Sequence, residues 1–195
     1  MTAGAYNGPV FNIHRPPLHH CTNCGAKIER KVPPGDERER ATCPHCGGIH
    51  YENPKLVVGC IPVYEDRILL CKRAIEPRYG YWTLPAGFME NGETTAEGAT
   101  RETHEEAGAA VSDLEAFSML DVPYVHQVHV FYRARLTSPD FSPGAESLDA
   151  QLFTEAEIPW KELSFRTVIE TLKLFFADRE AGKFGFHVLP IIAPR

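Results

Sequence analysis

Three glutamates in the middle of the chain are spaced so that they could hold a divalent cation. Glu102, Glu105 and Glu106 stand at positions i, i+3 and i+4 of a segment rich in helix-forming residues, and a helix places such positions on one face. Adjacent carboxylates repel one another. A hard cation such as Mg²⁺, which prefers oxygen ligands, removes that repulsion. A solvated acidic helix face is the alternative for the three glutamates taken alone.

Four cysteines nearer the N-terminus form a second candidate metal site. Cys21 and Cys24 make one CxxC pair, and Cys43 and Cys46 make another, with eighteen residues between the pairs. Four thiolates suit tetrahedral Zn²⁺ and leave no open coordination position, so we predict a structural zinc site. Disulfides are the alternative, and a reducing compartment disfavours them.

The composition is that of an ordinary globular protein, with 43% hydrophobic residues in a chain of 195. The first 17 residues contain no apolar signal core, and no apolar run is long enough to span a bilayer. We therefore expect a cytoplasmic protein with no membrane partner. The formal net charge is −6. The first 52 residues hold six basic and five acidic residues, so they lack the basic footprint of a nucleic-acid binder.

The elements that must position these side chains follow from composition and periodicity. Strands and helices are mixed through residues 56–180, which predicts an α/β layered domain. One helix is predicted over residues 93–107, ended by Gly108, and a second over 165–180, with Ser164 as its N-cap. Strands are predicted at residues 56–63, 67–73, 116–119, 124–136 and 150–153.

The same features divide the chain into segments. Residues 18–52 carry the cysteine pairs and few large apolar side chains, so hydrophobic burial alone cannot fold them. The composition changes near Asn53-Pro54. We predict an N-terminal arm, a small zinc module, a larger catalytic domain and a C-terminal extension, at residues 1–17, 18–52, 53–182 and 183–195.

The acidic helix and the loop before it match a known signature, the Nudix box. Seven residues have the family's identity and spacing: Gly87, Glu93, Arg101, Glu102, Glu105, Glu106 and Gly108. Thr103 and Ala109 depart from it mildly, because they are small where the family has bulky or aliphatic residues. The resemblance implies a Nudix α/β/α sandwich with a mixed sheet, preceded here by a small zinc ribbon.

The resemblance also implies a chemistry, the hydrolysis of a pyrophosphate bond. Glu102, Glu105 and Glu106 would hold Mg²⁺ or Mn²⁺, and the backbone carbonyl of Gly87 would complete a metal site. Bound cations neutralise phosphate oxygens and lower the pKa of a coordinated water. Glu105 or Glu106 is the expected general base, and Glu146, which lies outside the box, is the alternative.

Arg101 would pair with Glu93 and so brace the loop against the helix. An exposed ion pair with a glutamate one helical turn away is the alternative for this arginine. Arg73, at the end of a predicted strand, is a candidate contact for substrate phosphates. Tyr81 is a candidate for stacking on a base, although such a tyrosine is more often part of a core or a rim.

A zinc ribbon joined to a Nudix domain resembles two groups of enzymes. The first comprises pyrophosphatases of ADP-ribose and FAD, to which the stretch from Phe141 to Ser147 looks similar. The second comprises NADH pyrophosphatases, some of which remove NAD caps from RNA. Residues 110–140 lack the SQPWPFP-type stretch of that second group. We therefore expect a small nucleotide of the ADP-ribose or FAD type as substrate, and no nucleic acid.

Two further expectations come from analogy with the family. Related enzymes are often dimers, so the resemblance allows a homodimer. A nucleotide-sensing regulator built on the Nudix fold is the alternative from another functional class. Regulators of that kind usually lose box glutamates and gain a basic helical module. This chain keeps the box and lacks such a module.

Overall fold

A computed structural model describes residues 17–193 of the chain. They separate into two compact units, and the boundary falls between Pro54 and Lys55. The prediction of an N-terminal arm at residues 1–17 lies outside the described residues, apart from Pro17. None of the helices in the described range has the length and apolar character needed to cross a membrane.

The smaller unit is a three-stranded antiparallel sheet in the order β1-β2-β3, with β1 at Glu29–Lys31, β2 at Arg40–Thr42 and β3 at Ile49–His50. Its buried core is small, consisting of Cys21, Ile28, Ala41 and Cys43. Two of these four are predicted zinc ligands. Apolar burial of this extent is too little to hold so short a segment folded, so the unit depends on a cross-link or a metal.

The larger unit is built on a mixed sheet of eight strands. They are β4 (Lys55–Tyr64), β5 (Arg67–Arg73), β6 (Trp82–Thr83), β7 (Ala86–Phe88), β8 (Val111–Val122), β9 (Gln127–Leu136), β10 (Ser147–Phe153) and β11 (His187–Pro190). The order is β10-β5-β4-β9-β8-β11, with β6 beside β5 and β7 beside β4. The pairs β4–β9 and β8–β11 are parallel and the others are antiparallel.

Two helices cover opposite faces of this sheet. Helix α1 spans Thr95–Ala107 and helix α2 spans Arg166–Ala181. Alternate strand residues point to opposite faces. Val58 and Cys60 of β4 pack with Ala99 of α1, whereas Ile61 of the same strand lies in the core that contains Leu172 of α2. The result is the predicted α/β/α sandwich.

Both helices begin later than predicted. Thr94 caps α1 through a capping box with Glu97, in which each residue accepts a hydrogen bond from the other's backbone N–H. This places Glu93 in the preceding loop rather than in the helix. Helix α2 has Phe165 at its N-cap with no side-chain bond, so the prediction of Ser164 as the N-cap is wrong.

Several strand boundaries also differ from the predictions. The short strand predicted at residues 116–119 is the middle of β8, which has twelve residues. Register shifts between Ser112 and Glu115 and between Ala116 and Ser118 break its alternation, which hides it in the sequence. The strand predicted from Tyr124 begins at Gln127, because Pro123–Val125 form a 3-10 turn. The expected C-terminal extension contributes β11, an edge strand of the sheet.

Candidate active site and zinc ribbon

Helix α1 presents its three glutamates to different surroundings. Glu102 and Glu106 are buried, at 9% and 7% exposure, because they lie on the face of the helix that packs against the sheet. Glu105 is exposed, with 56% of its side chain accessible. Burial raises the pKa of Glu102 above its ordinary value. Two of the three carboxylates therefore lie where a negative charge needs compensation.

Glu106 is the most strongly affected of the three. Burial raises the pKa of its carboxyl to about 8, and the charges of Glu102 and Glu146 act in the same direction. The backbone N–H of Ala86 donates to Glu106 Oε2 at 3.3 Å, and the charge of Arg73 also favours the ionised form. A bound divalent cation would reverse the balance and hold this carboxylate ionised.

Arg101 ties the loop before α1 to the helix. Its guanidinium donates to both carboxylate oxygens of Glu93, at 3.0 and 2.8 Å. Its Nη1 donates to Glu102 at 2.8 Å and to Glu105 at 2.9 Å, and its Nη2 donates to the carbonyl of Phe88 at 3.2 Å. These bonds raise the pKa of Arg101 and lower the pKa of Glu93 to about 2. The arginine thus contacts the loop and two box glutamates at once.

Gly87 lies directly against the Glu102 carboxylate. A Cβ built on this glycine would stand 2.3 to 2.5 Å from the three carboxylate atoms of Glu102, a separation that real atoms do not tolerate. Only a residue without a side chain brings the backbone this close. The backbone of Gly87 and the Glu102 oxygens can therefore serve one cation together.

A second loop, residues 141–146, packs against the end of α1 that carries Glu105 and Glu106. We call it the 141–146 loop. The N–H of Ser142 donates to the carbonyl of Ala107 at 2.9 Å, and the N–H of Gly144 donates to the carbonyl of Glu106 at 3.0 Å. The loop leads to Glu146, which is exposed and whose charge acts on Glu102, Glu106 and Arg73.

Arg73 is a partly buried cation at the end of β5. Burial lowers its pKa, while the negative charges of Glu106 and Glu146 oppose this effect. Its Nε donates to the carbonyl of Pro77 at 2.9 Å, and its guanidinium lies 5.1 Å from the centre of the Phe165 ring. Arg73 therefore stands within electrostatic reach of the acidic site while its side chain is fixed by the following loop.

Tyr81 is the last residue of the loop between β5 and β6. Its backbone carbonyl accepts a hydrogen bond from the N–H of Arg73 at 2.9 Å. Its ring is half-buried, and the guanidinium of Arg78 lies 5.0 Å from the ring centre. Arg78 thus already covers the aromatic surface that the sequence nominated for stacking, so a base would have to displace it or use the opposite face.

The donor chemistry of the acidic site fits Mg²⁺ or Mn²⁺. Carboxylate and backbone carbonyl oxygens are the ligands that these hard cations prefer, and substrate phosphates complete their coordination. Glu102 and Glu105 are each engaged by Arg101 at hydrogen-bond distance.

The ribbon is arranged differently, since its ligand atoms already converge. The Sγ atoms of Cys21 and Cys46 lie 3.6 Å apart, as do those of Cys24 and Cys43. Tetrahedral zinc with Zn–S bonds of about 2.3 Å requires sulfur separations of about 3.8 Å. Within residues 17–193, these four cysteines form the one group of three or more His, Cys, Asp or Glu whose ligand atoms all lie within 4.8 Å of one another.

Hydrogen bonds reach the sulfur atoms of two ligands, and at Cys43 they favour the thiolate form. The N–H of Cys46 donates to Cys43 Sγ at 3.5 Å, which lowers the pKa of Cys43 to about 6. Cys21 Sγ accepts from the N–H of Asn23 at 3.4 Å, and His50 Nε2 lies 3.2 Å from the same sulfur. These contacts fit zinc, because only the deprotonated thiol ligates the metal.

Comparison with protein families decides what kind of molecule this is. The NUDIX domain model matches residues 53–172, and a second model, described as Nudix N-terminal and named for a zinc ribbon, matches residues 19–52. The chain belongs to the Nudix family. The first match covers most of the chain and includes the glutamates of α1. The second covers the four cysteines.

Two kinds of Nudix enzyme are among the relatives of this chain. An NAD-capped RNA hydrolase NudC from Pseudomonas aeruginosa is 29% identical over 144 residues, covering 71% of this chain and 49% of that protein. An ADP-ribose pyrophosphatase from Methanocaldococcus jannaschii is 31% identical over 113 residues, covering 56% of this chain and 67% of that protein. The chain spans about half the length of the NudC relatives that it matches.

A solved structure agrees with the fold over nearly the whole chain. A Nudix hydrolase from Nitrosomonas europaea has a TM-score of 0.87 and 48% identity, covering 89% of this chain and 99% of that chain. An ADP-ribose pyrophosphatase from Streptococcus suis has a TM-score of 0.58 at 24% identity and covers 70% of this chain and 99% of that chain. This second likeness shows the fold alone.

The structure brings most of the nominated Nudix residues into one region. Glu93, Arg101, Glu102 and Glu105 form one bonded group. Electrostatic interactions link Glu106, Glu146 and Arg73, whereas Tyr81 joins the group only through its backbone. Several groups that contact these residues were not identified from the sequence. They are the amide of Ala86 at Glu106, the carbonyl of Phe88 at Arg101, the ring of Phe165 at Arg73, the N–H of Gly144 at the Glu106 carbonyl and the imidazole of His50 at Cys21. All of them depend on tertiary packing rather than on a local pattern.

Proposed function

We propose that this Nudix protein hydrolyses the pyrophosphate bond of a small nucleotide derivative, with ADP-ribose or FAD as the substrate type. The products would be AMP together with ribose 5-phosphate or FMN. The observation that carries the proposal is the α1 face, where Glu102 is buried against Gly87 and Glu106 is buried beside Ala86. Arg101 joins Glu93, Glu102 and Glu105 of the box. The archaeal relative named as an ADP-ribose pyrophosphatase supports the choice of substrate type.

In this proposal the glutamates and Gly87 hold Mg²⁺ or Mn²⁺. When bound, the cations neutralise phosphate oxygens and lower the pKa of water. Glu102, Glu105 and Glu106 supply side-chain oxygens, and Gly87 supplies its carbonyl. Arg101 keeps the loop and the helix in register through Glu93. We propose that Arg73 contacts the phosphates, and its charge interaction with Glu106 supports this role.

We propose Glu106 as the general base, with Glu105 and Glu146 as the alternatives. Glu105 forms an ion pair with Arg101 at 2.9 Å, and such a pair makes a carboxylate a weaker proton acceptor. Glu106 instead accepts a longer bond from a neutral amide. Tyr81, and Glu146 if it is not the base, are proposed to contact the nucleotide.

A second candidate is hydrolysis of NADH or of NAD-capped RNA. The NudC relatives favour it, because their matches cover about 70% of this chain. Residues 110–140 weigh against it, since they contain no SQPWPFP-type sequence. The near-neutral charge of residues 1–52 also disfavours RNA as a partner.

A substrate panel with zinc-loaded protein and Mg²⁺ tests both candidates. It contains ADP-ribose, FAD, NADH, NAD⁺ and a short NAD-capped RNA, with products separated by chromatography. Release of AMP from ADP-ribose or FAD supports the proposal, whereas selective turnover of NADH or capped RNA would move the protein to the second candidate. Tight nucleotide binding without turnover of any substrate would instead favour the regulator alternative.

A further inference from the structure

The 141–146 loop is hydrogen-bonded to the C-terminal turn of α1, where backbone carbonyl groups need partners from outside the helix. The last four carbonyls of a helix have no partner within the helix. Here the carbonyls of Glu106 and Ala107 accept from Gly144 and Ser142, at 3.0 and 2.9 Å. A loop distant in sequence therefore completes the helical turn that carries two box glutamates.

Gly144 makes this close approach feasible. A Cβ built at this position would lie 1.7 Å from the carbonyl oxygen of Glu105 and 2.9 Å from its carbonyl carbon. The obstructing atoms are backbone, so no side-chain rotation relieves the clash. Any larger residue must move either the loop or the last turn of α1.

The loop also has an anchor at each end. Phe141 packs beside Ala107 and Leu69 in a buried cluster between α1 and the sheet. At the other end, the carbonyl of Glu146 accepts from the N–H of Ala74 at 2.8 Å. Ala74 directly follows Arg73, so the loop connects the glutamate-bearing turn of α1 to the strand end that carries this arginine.

We infer that the 141–146 loop sets the position of Glu105 and Glu106 relative to Arg73, and that Gly144 is the positioning residue within it. The consequence for hydrolysis rests on the proposed function. The consequence for cation binding rests only on the proposed cation site at the glutamates, and not on the substrate or on turnover. The two can therefore be measured separately.

The test compares Gly144→Ala with Ala145→Ser. The control also adds one heavy atom, but at an exposed neighbouring position. Mn²⁺ affinity is measured by paramagnetic resonance on zinc-loaded protein, and kcat and KM are measured on the preferred substrate. We expect Gly144→Ala to weaken Mn²⁺ binding by about 10-fold and to lower kcat by up to about 100-fold with little change in KM. Ala145→Ser should match wild type.

A second pair of variants covers the case in which Gly144→Ala does not fold. Phe141→Ala loosens the anchor without introducing a clash and should weaken Mn²⁺ binding, while Phe141→Leu should restore it. A folded Gly144→Ala protein with wild-type Mn²⁺ affinity would overturn the inference, as would an unchanged affinity in Phe141→Ala. If the wild type hydrolyses nothing in the panel, the proposed function fails, and the Mn²⁺ measurements still decide the role of the loop.

Discussion

The zinc ribbon and the acidic face of α1 both carry donor groups suited to metals, but they differ in how those groups are arranged. The four cysteine sulfurs already lie within 4.8 Å of one another. The glutamates are separated into two environments, since Glu102 and Glu105 bind Arg101 while Glu106 accepts from the Ala86 amide. The cysteine ligands thus form one compact cluster, whereas the glutamates have different hydrogen-bond partners.

This difference matches the two tasks that metals perform in proteins. A structural zinc site uses all four positions for protein ligands and contributes folding energy. A catalytic magnesium site keeps positions for water and phosphate. The ribbon has almost no apolar core of its own, whereas the residues from 55 onward bury a large one. Metal should therefore matter for folding in the ribbon and for activity in the Nudix domain.

The largest expected effect is the loss of the ribbon fold on zinc removal. Structural zinc sites contribute about 10–16 kcal/mol in small domains, more than so small a core can replace. Cys43→Ser should abolish zinc binding and expose residues 19–52 to protease, while Cys60→Ala, a change in the other unit, should keep one zinc. Both tryptophans, Trp82 and Trp160, lie outside the ribbon, so their fluorescence should stay native. A ribbon that resists protease without zinc would show that its folding does not depend on the metal.

At the acidic face, Glu106→Gln should remove activity without unfolding the protein. The substitution keeps the shape and deletes the proton acceptor, so we expect kcat to fall by about 10²–10⁴-fold. Thermal unfolding should be unchanged or slightly improved, because a neutral side chain is easier to bury than a charged one. The matched control is Glu90→Gln, an exposed glutamate at a position of the box where the signature specifies no residue. Near-full turnover in Glu106→Gln would refute the proposed chemistry.

The sequence predicted both metal sites because their ligands follow short, fixed spacings. Helical periodicity alone places Glu102, Glu105 and Glu106 together, and two CxxC pairs define the ribbon. The fold class followed from the mixture of predicted strands and helices through residues 56–180. Local pattern was less reliable at element ends, where α1 begins at Thr95 rather than residue 93 and α2 at Arg166 rather than residue 165.

What the sequence could not supply depends on contacts between distant segments. The bond from Gly144 to the α1 turn joins residues almost forty positions apart, and nothing in the Pro/Gly/Ser-rich loop indicates its partner. Strand β11 was missed because an edge strand of four residues, which includes Pro190, carries little pattern of its own. Arg73 was nominated from its position, but its burial beside the acidic site is a tertiary feature.

Arg101→Lys tests how the acidic site is held together, because it keeps the positive charge and removes the planar guanidinium with its several N–H donors. One ammonium group cannot bind both oxygens of Glu93 and also reach Glu102 and Glu105. We expect a loss of stability of about 1–3 kcal/mol, with a higher Mg²⁺ concentration needed for half-maximal activity. The control is Arg135→Lys, whose exposed pair with Asp113 should be worth at most about 1 kcal/mol. Equal stability losses in the two variants would mean that Arg101 has no special structural role.

The smallest predicted effect concerns His50 in the ribbon. A zinc-bound Cys21 thiolate has no proton to give, so His50 Nε2, 3.2 Å from that sulfur, must carry the proton and donate. The hydroxyl of Thr22, 3.3 Å from Nδ1, would then donate to the other nitrogen and fix this tautomer. His50→Ala should speed zinc transfer to a chromogenic chelator by about 10-fold, and Thr22→Val should have a smaller effect. The control is His45→Ala, at an exposed histidine between Cys43 and Cys46, which should have no effect. Equal rates for His50→Ala and His45→Ala would show that the cysteines alone determine zinc retention. That outcome would leave the ribbon without the kind of supporting side chain that Arg101 provides at the acidic face.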